Sequence, residues 1–160
     1  MDPKIEVLDL FLRELGEDSS IDGIDNRLRL QKAVYLGQLF GVDLGYRYSW
    51  YVKGPYSPPL TQDYYKLAES IADTRSGKVL RPDLSEKLRS ARELLRVPTG
   101  VTLDKPQWYE LLASLHYLYK VSGLDATKVR ETILRTKSHL ADWIAPGEER
   151  LRQCGLLSAA

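Results

Sequence analysis

The chain predicts a mainly α domain with a minor small β-sheet (an α+β fold), in which helices pack around a buried central helix and a short aromatic-rich strand. Three observations predict it. Apolar residues recur at helical spacing over most of the length. Residues 46–53 instead alternate: Tyr46, Tyr48, Trp50 and Val52 fall on one face, and Arg47, Ser49, Tyr51 and Lys53 on the other. Aromatic and β-branched residues in that pattern read as a half-buried strand. A short run, Val79-Leu80-Arg81, is the remaining strand candidate. At 160 residues and 43% hydrophobic, the chain can bury a core without disulfides or a metal. It reads as one domain over 1–160, with a core at 5–96 and a C-terminal helical part at 106–155.

Taken in order, Ile5, Leu8, Phe11, Leu12 and Leu15 define a first helix that stops at Gly16. After a polar loop, Asp22 or Asp25 caps a second helix that runs to about residue 40, with Gly41 just past its end. Ile24, Leu28, Tyr35 and Leu39 lie on one side of it; Ala33, Leu36 and Phe40 lie on another, with Leu30 and Val34 between. Only Arg27, Gln31 and Gln38 form a polar stripe. A helix apolar nearly all round is buried on most sides, so this one is expected to be the central and most buried element. After the strand, residues 54–59 (Gly-Pro-Tyr-Ser-Pro-Pro) read as a stiff turn into a helix over 60–72. Ser57 is placed to cap that helix, and Pro59 is expected to delay its start past Pro58. A loop at 73–78 and a connector at 97–105 flank a helix at 85–95. Helices at 106–121, 126–136, 139–144 and 146–154 complete the chain.

Residues 27–67 carry the only motif that discriminates among functions. Leu30-Gln31-Lys32 with Tyr35 sits on the central helix. The aromatic strand follows, then Gly54-Pro55-Tyr56-Ser57, with Leu60 after it. In these pieces the chain resembles the YwgA-like family and, more distantly, the Panacea domain of bacterial and phage antitoxins. The resemblance covers about a quarter of the chain. It implies a helical fold and a protein-interaction role, plausibly the neutralisation of a toxin or service in a defence or mobile-element system. It also favours a structural role for Leu30, Gln31, Lys32 and Tyr35, with Gln31 and Lys32 bonding the carbonyls of the 54–57 turn. A lysine that simply snorkels to water is the plainer reading.

The residues themselves argue against catalysis. His116 and His139 are far apart in sequence and fit no metal-binding or hydrolytic spacing. Cys154 is the single cysteine, which excludes an internal disulfide or a cysteine-based zinc site and points to a reducing, cytoplasmic setting. No phosphate-binding glycine loop occurs, and Ser57 is not in a nucleophile elbow. The reading is therefore no enzyme, no cofactor, no metal and no membrane span. A net charge of +1 gives no global pull toward nucleic acid. Arg27, Arg29, Lys32, Arg47 and Lys53 still leave a DNA-binding regulator of winged-helix type as the alternative. The basic set Lys87, Arg89, Arg92 and Arg96, interleaved with Glu86 and Glu93, reads as a salt-bridged helix face.

The partner-binding surface is expected at Tyr51, Lys53, Gly54, Pro55, Tyr56 and Ser57. Seven aromatic rings fall between residues 46 and 65, and most should fill the core. Tyr51 is the ring expected to stay exposed. Pro55 and Pro58 stiffen the chain on both sides of Tyr56, and a stiff loop loses less entropy on binding. The following helix is expected to present free N–H groups at the same edge. The partner is expected to be a protein, with nucleic acid second and a homodimer open.

Overall fold

The computed structural model describes residues 2–70 and 77–158. Among these it forms seven α-helices and one two-stranded antiparallel sheet. The order is α1 (Pro3–Leu15), α2 (Gly23–Gln38), β1 (Ser49–Tyr51), β2 (Gly54–Tyr56), α3 (Pro58–Ser70), α4 (Pro82–Leu95), α5 (Lys105–His116), α6 (Ala126–Thr136) and α7 (Ile144–Gln153). A π-helical turn, Tyr117–Val121, extends α5, and a 3-10 segment, Ser138–Trp143, leads into α7.

The helix ends follow from local chemistry. Pro3 opens α1, where the missing N–H would have had no partner, and the Asp2 carboxylate caps the Lys4 N–H at 2.8 Å. Gly16 ends α1 in the left-handed conformation at φ +83°. Asp104 and Gln107 form a reciprocal capping box at the start of α5. Asp125 caps α6 through the Lys128 N–H. Asp22 precedes α2 but makes no side-chain cap bond, and α2 ends at Gln38, two residues short of the expected end.

Leu30, Val34 and Leu36 of α2 are all buried, as a central helix requires. Yet α5 is buried as continuously, from Trp108 to His116, while α2 is buried from Arg29 to Gly37. Among the described residues the two helices make the most extensive helix contact. The expectation of a single most-buried helix is corrected to a central pair. One apolar cluster runs from Ile5 to Leu151 and includes Phe11, Tyr64 and Trp108. No described helix is long and apolar enough to cross a membrane.

The strand prediction was right in place and wrong in extent. Only Ser49–Tyr51 forms β1, and its partner is the 54–56 segment expected to be a turn. The pairs are Ser49 with Tyr56, Trp50 with Pro55, and Tyr51 with Gly54. Pro55 is tolerated because a two-stranded sheet leaves each strand one edge without a ladder. Residues 46–48 are withdrawn from the strand by Gln38. Its amide oxygen accepts the Leu44 N–H at 2.9 Å and the Tyr46 N–H at 3.3 Å, and its NH2 donates to the Tyr46 carbonyl. Residues 79–81 form no strand. Both Pro58 and Pro59 lie inside α3, so the expected delay does not occur: the first N–H groups of a helix have no internal acceptor, and losing two of them costs little. The helix expected at 85–95 begins earlier, at Pro82. The expected helix end at 71–72 and the loop residues 73–76 lie outside the described residues.

Candidate functional site

The β1–β2 hairpin turns at Val52 and Lys53 and is fastened by side chains from two places, α2 and the joint after α6. From α2, Gln31 reads both backbone groups of Ser57. Its NH2 donates to the Ser57 carbonyl and its carbonyl accepts the Ser57 N–H, each at 2.9 Å. Lys32, fully buried, donates from Nζ to the Pro55 carbonyl at 2.8 Å. The structural pairing expected of these two residues is thus present, and Lys32 does not snorkel. From the joint after α6, the buried Lys137 donates to the Val52 carbonyl at 2.8 Å and to Glu110 of α5 at 2.8 Å. Its ammonium also sits 5.4 Å from the centre of the Trp50 ring.

Gly54 is required twice over. Its φ is +91°, a conformation that side chains rarely adopt. A Cβ there would also stand 2.6 Å from the Ser114 Oγ of α5. The hairpin therefore lies directly on α5, and a Cβ at position 54 would have to displace the Ser114 hydroxyl.

The predicted surface residues separate into two groups. Gly54, Pro55 and Ser57 are buried and belong to the support. Lys53 is exposed, Tyr51 is 48% exposed, and Val52, which the sequence reading left out, is 86% exposed. Tyr56 is half-buried: its ring meets Tyr51 edge-on at 5.3 Å and its hydroxyl bonds Thr61. The free N–H groups expected at the start of α3 are reduced by Pro58 and Pro59, which have none. The exposed edge of the hairpin is consequently an apolar and cationic tip, Tyr51-Val52-Lys53.

Behind the tip lies a polar cleft of about 180 Å³, lined by Asp25, Leu28, Lys32, Lys53, Asp104, Pro106, Gln107, Glu110 and His139. Burial pushes the Lys32 pKa down to about 8; Glu110 opposes that shift, while Lys137 and Lys53 add to it. His139, half exposed at the rim, has Nε2 3.9 Å from the Glu110 carboxylate. Among the described residues no cluster of three or more His, Cys, Asp or Glu is placed to hold a metal.

Further along the α2–α5 contact, the Tyr35 hydroxyl and His116 Nδ1 lie 2.8 Å apart, and both side chains are buried. Burial pushes the His116 pKa down to about 4, aided by Lys120. The imidazole is neutral at physiological pH. Tyr48 packs edge-on against Tyr35, and Trp50 lies tilted against Tyr117, so most of the aromatic segment serves as packing.

The five cations expected near the central helix do not form one patch. Arg29 is buried and paired to Glu17 at 2.5 Å, with Tyr109 donating to the same carboxylate. Lys32 is buried, Arg27 bonds the Ile21 carbonyl, and Arg47 faces Asp43. In the α4 set, Arg96 pairs with Glu93 at 2.5 Å and Arg89 with Glu14 at 2.5 Å.

Sequence reasoning missed Glu110, Ser114 and Lys137. Glu110 left one usable signal: it is a lone carboxylate inside the apolar run 108–115, where an acid without a partner would be costly. Lys137 left none, because nothing in its neighbourhood marks it as buried. The chain matches no family model, no curated protein and no solved structure. The likeness of residues 27–67 to the YwgA-like and Panacea families rests on its motif residues alone.

Proposed function

We propose that the chain is a non-catalytic protein-interaction module of antitoxin-like type, which binds a protein partner through the tip of the 49–56 hairpin. The observation that carries this reading is the pairing of an exposed apolar tip with an immobilised base. Val52 and Tyr51 present apolar surface to solvent, while the carbonyls of Val52, Pro55 and Ser57 are each held by a buried side chain. Such a tip binds with little ordering cost, and stiff aromatic residues are favoured at binding hot spots. The partner class, a toxin or another component of a defence or mobile-element system, follows from the Panacea-like motif.

The test is co-expression with a small toxic reading frame encoded beside this chain's gene. The wild-type chain is expected to restore growth and to copurify with the toxin. Val52→Asp and Tyr51→Ala are expected to abolish both and to change stability by less than about 0.5 kcal/mol, as exposed positions do. Toxin capture at wild-type level by both variants overturns the hairpin as the binding surface. A DNA-binding regulator would instead show duplex binding that weakens steeply with salt. Burial of α2 from Arg29 to Gly37 leaves its first six residues, Gly23 to Leu28, as the stretch accessible to a groove, which favours the protein partner.

A further inference from the structure

The polar cleft behind the hairpin holds an unbalanced buried charge. Lys32 and Lys137 are both buried and share one buried carboxylate, Glu110. That carboxylate is bonded to Lys137. Lys32 has three N–H donors. Among the described residues it has one hydrogen-bond acceptor, the Pro55 carbonyl, and no ion pair. A buried cation in that state is costly, and an anion brought to it would relieve the cost.

The rest of the lining selects the kind of anion. Lys53 and the half-exposed His139 stand at the mouth. Asp25 lies there too, as does Asp104, whose carboxylate is committed to capping α5. A doubly charged phosphate would meet Glu110, Asp25 and Asp104 while only one buried positive charge is unbalanced. A singly charged carboxylate matches that charge and meets less repulsion. Lys53 belongs both to the cleft and to the exposed hairpin tip. A chain lying on the tip therefore passes the cleft mouth.

We infer that this cleft is a carboxylate pocket, which takes a glutamate or aspartate side chain of the protein that binds the hairpin tip and pairs it with Lys32. The inference rests on the hairpin reading for the source of the carboxylate, and on the cleft alone for its chemistry.

The experiment is NMR of the full chain with labelled lysines, titrated at constant ionic strength. The probes are N-acetyl-glutamate amide, its glutamine analogue, acetate and inorganic phosphate. The glutamate derivative is expected to shift the Lys32 Cε and Nζ signals saturably, in the millimolar range. It should also move the Lys32 pKa from about 8 back toward the ordinary lysine value. The glutamine analogue should do neither. Lys32→Met is expected to abolish the saturable shift that the same titration produces at the labelled Lys53 of the wild-type cleft; His139→Gln, at an exposed position, should weaken the Lys32 response severalfold without affecting folding. No saturable shift at Lys32, or an equal shift with the glutamine analogue, overturns the pocket. Phosphate binding tighter than the glutamate derivative overturns the monoanion assignment. Acetate binding as tightly as the glutamate derivative assigns the pocket to small free acids and overturns the side-chain source. A silent pocket together with loss of toxin capture in Val52→Asp would sink this inference and leave the hairpin reading standing.

Discussion

Helices α2 and α5 bury polar groups at two places along one seam, and handle them in opposite ways. At the hairpin end, Lys137 and Glu110 keep their charges by pairing at 2.8 Å and use the pair to hold the Val52 carbonyl. At the other end, Tyr35 and His116 avoid charge: the imidazole stays neutral and bonds the phenol. Burial leaves a titratable group these two choices, pairing or neutralisation. Lys32 fits neither. It is buried, its pKa is held down to about 8, and no described carboxylate is its own. The comparison teaches that the Lys137–Glu110 pair and the Tyr35–His116 pair are settled structure, whereas the Lys32 cleft at the hairpin end has a deficit that a ligand would fill.

The sharpest break of this comparison is Lys137→Ala. It leaves the Glu110 carboxylate buried without its partner and frees the Val52 carbonyl. A loss of about 3–5 kcal/mol is expected in urea unfolding, the range for removing one member of a buried pair. Pairing Lys137→Met with Glu110→Leu should recover most of it. If the single variant costs less than about 1 kcal/mol, the pair does not brace the hairpin.

The neutral end should fail in acid. Unfolded, His116 takes its proton near pH 6.5; folded, near pH 4. Between those values the unfolded state holds more protons, so stability rises with pH through the window and falls as pH is lowered across it. The expected loss is about 3 kcal/mol by pH 4. His116→Asn, which keeps an acceptor for Tyr35, should remove that part of the pH dependence in parallel denaturation curves. An unchanged slope would show that His116 is not held neutral by burial.

Gly54→Ala tests the contact between hairpin and α5. Strain at φ +91° and the 2.6 Å approach to Ser114 Oγ should together cost about 2–3 kcal/mol in thermal unfolding. Adding Ser114→Ala should return the steric share and leave the backbone share. Equal stability of the single variant and wild type would mean that the hairpin does not rest on α5.

The smallest expected effect is the most discriminating. Lys32→Met removes a buried lysine like Lys137→Ala, yet should cost only about 1 kcal/mol, the scale of one hydrogen bond, because an unbalanced charge leaves with it. A loss as large as that of Lys137→Ala would show that Lys32 has a charged partner in the folded chain, and that the two lysines are equivalent.

By itself the sequence determined the helices, the position of the aromatic strand, and the α2 half of the hairpin's support. Periodicity and capping are local, so α1, α2 and α6 could be placed from their own residues. The bond from Gln31 and Lys32 to the 54–57 carbonyls is suggested by the resemblance of these residues to the YwgA-like motif, while the residues alone favour a lysine that snorkels. Tertiary structure alone decided the rest. The 54–56 segment became a strand because Gln38 takes the backbone of residues 44–46 and the two short segments then pair. Glu110 and Ser114 reached the hairpin because α5 packs along α2 and β2, and Lys137 because the 3-10 segment packs on α5, bringing residues 85 positions apart within 2.8 Å at Val52 and Lys137. Residue spacing constrains neighbours one or two turns away. A contact across that separation is set by which apolar faces bury each other, and that is a property of the assembled core.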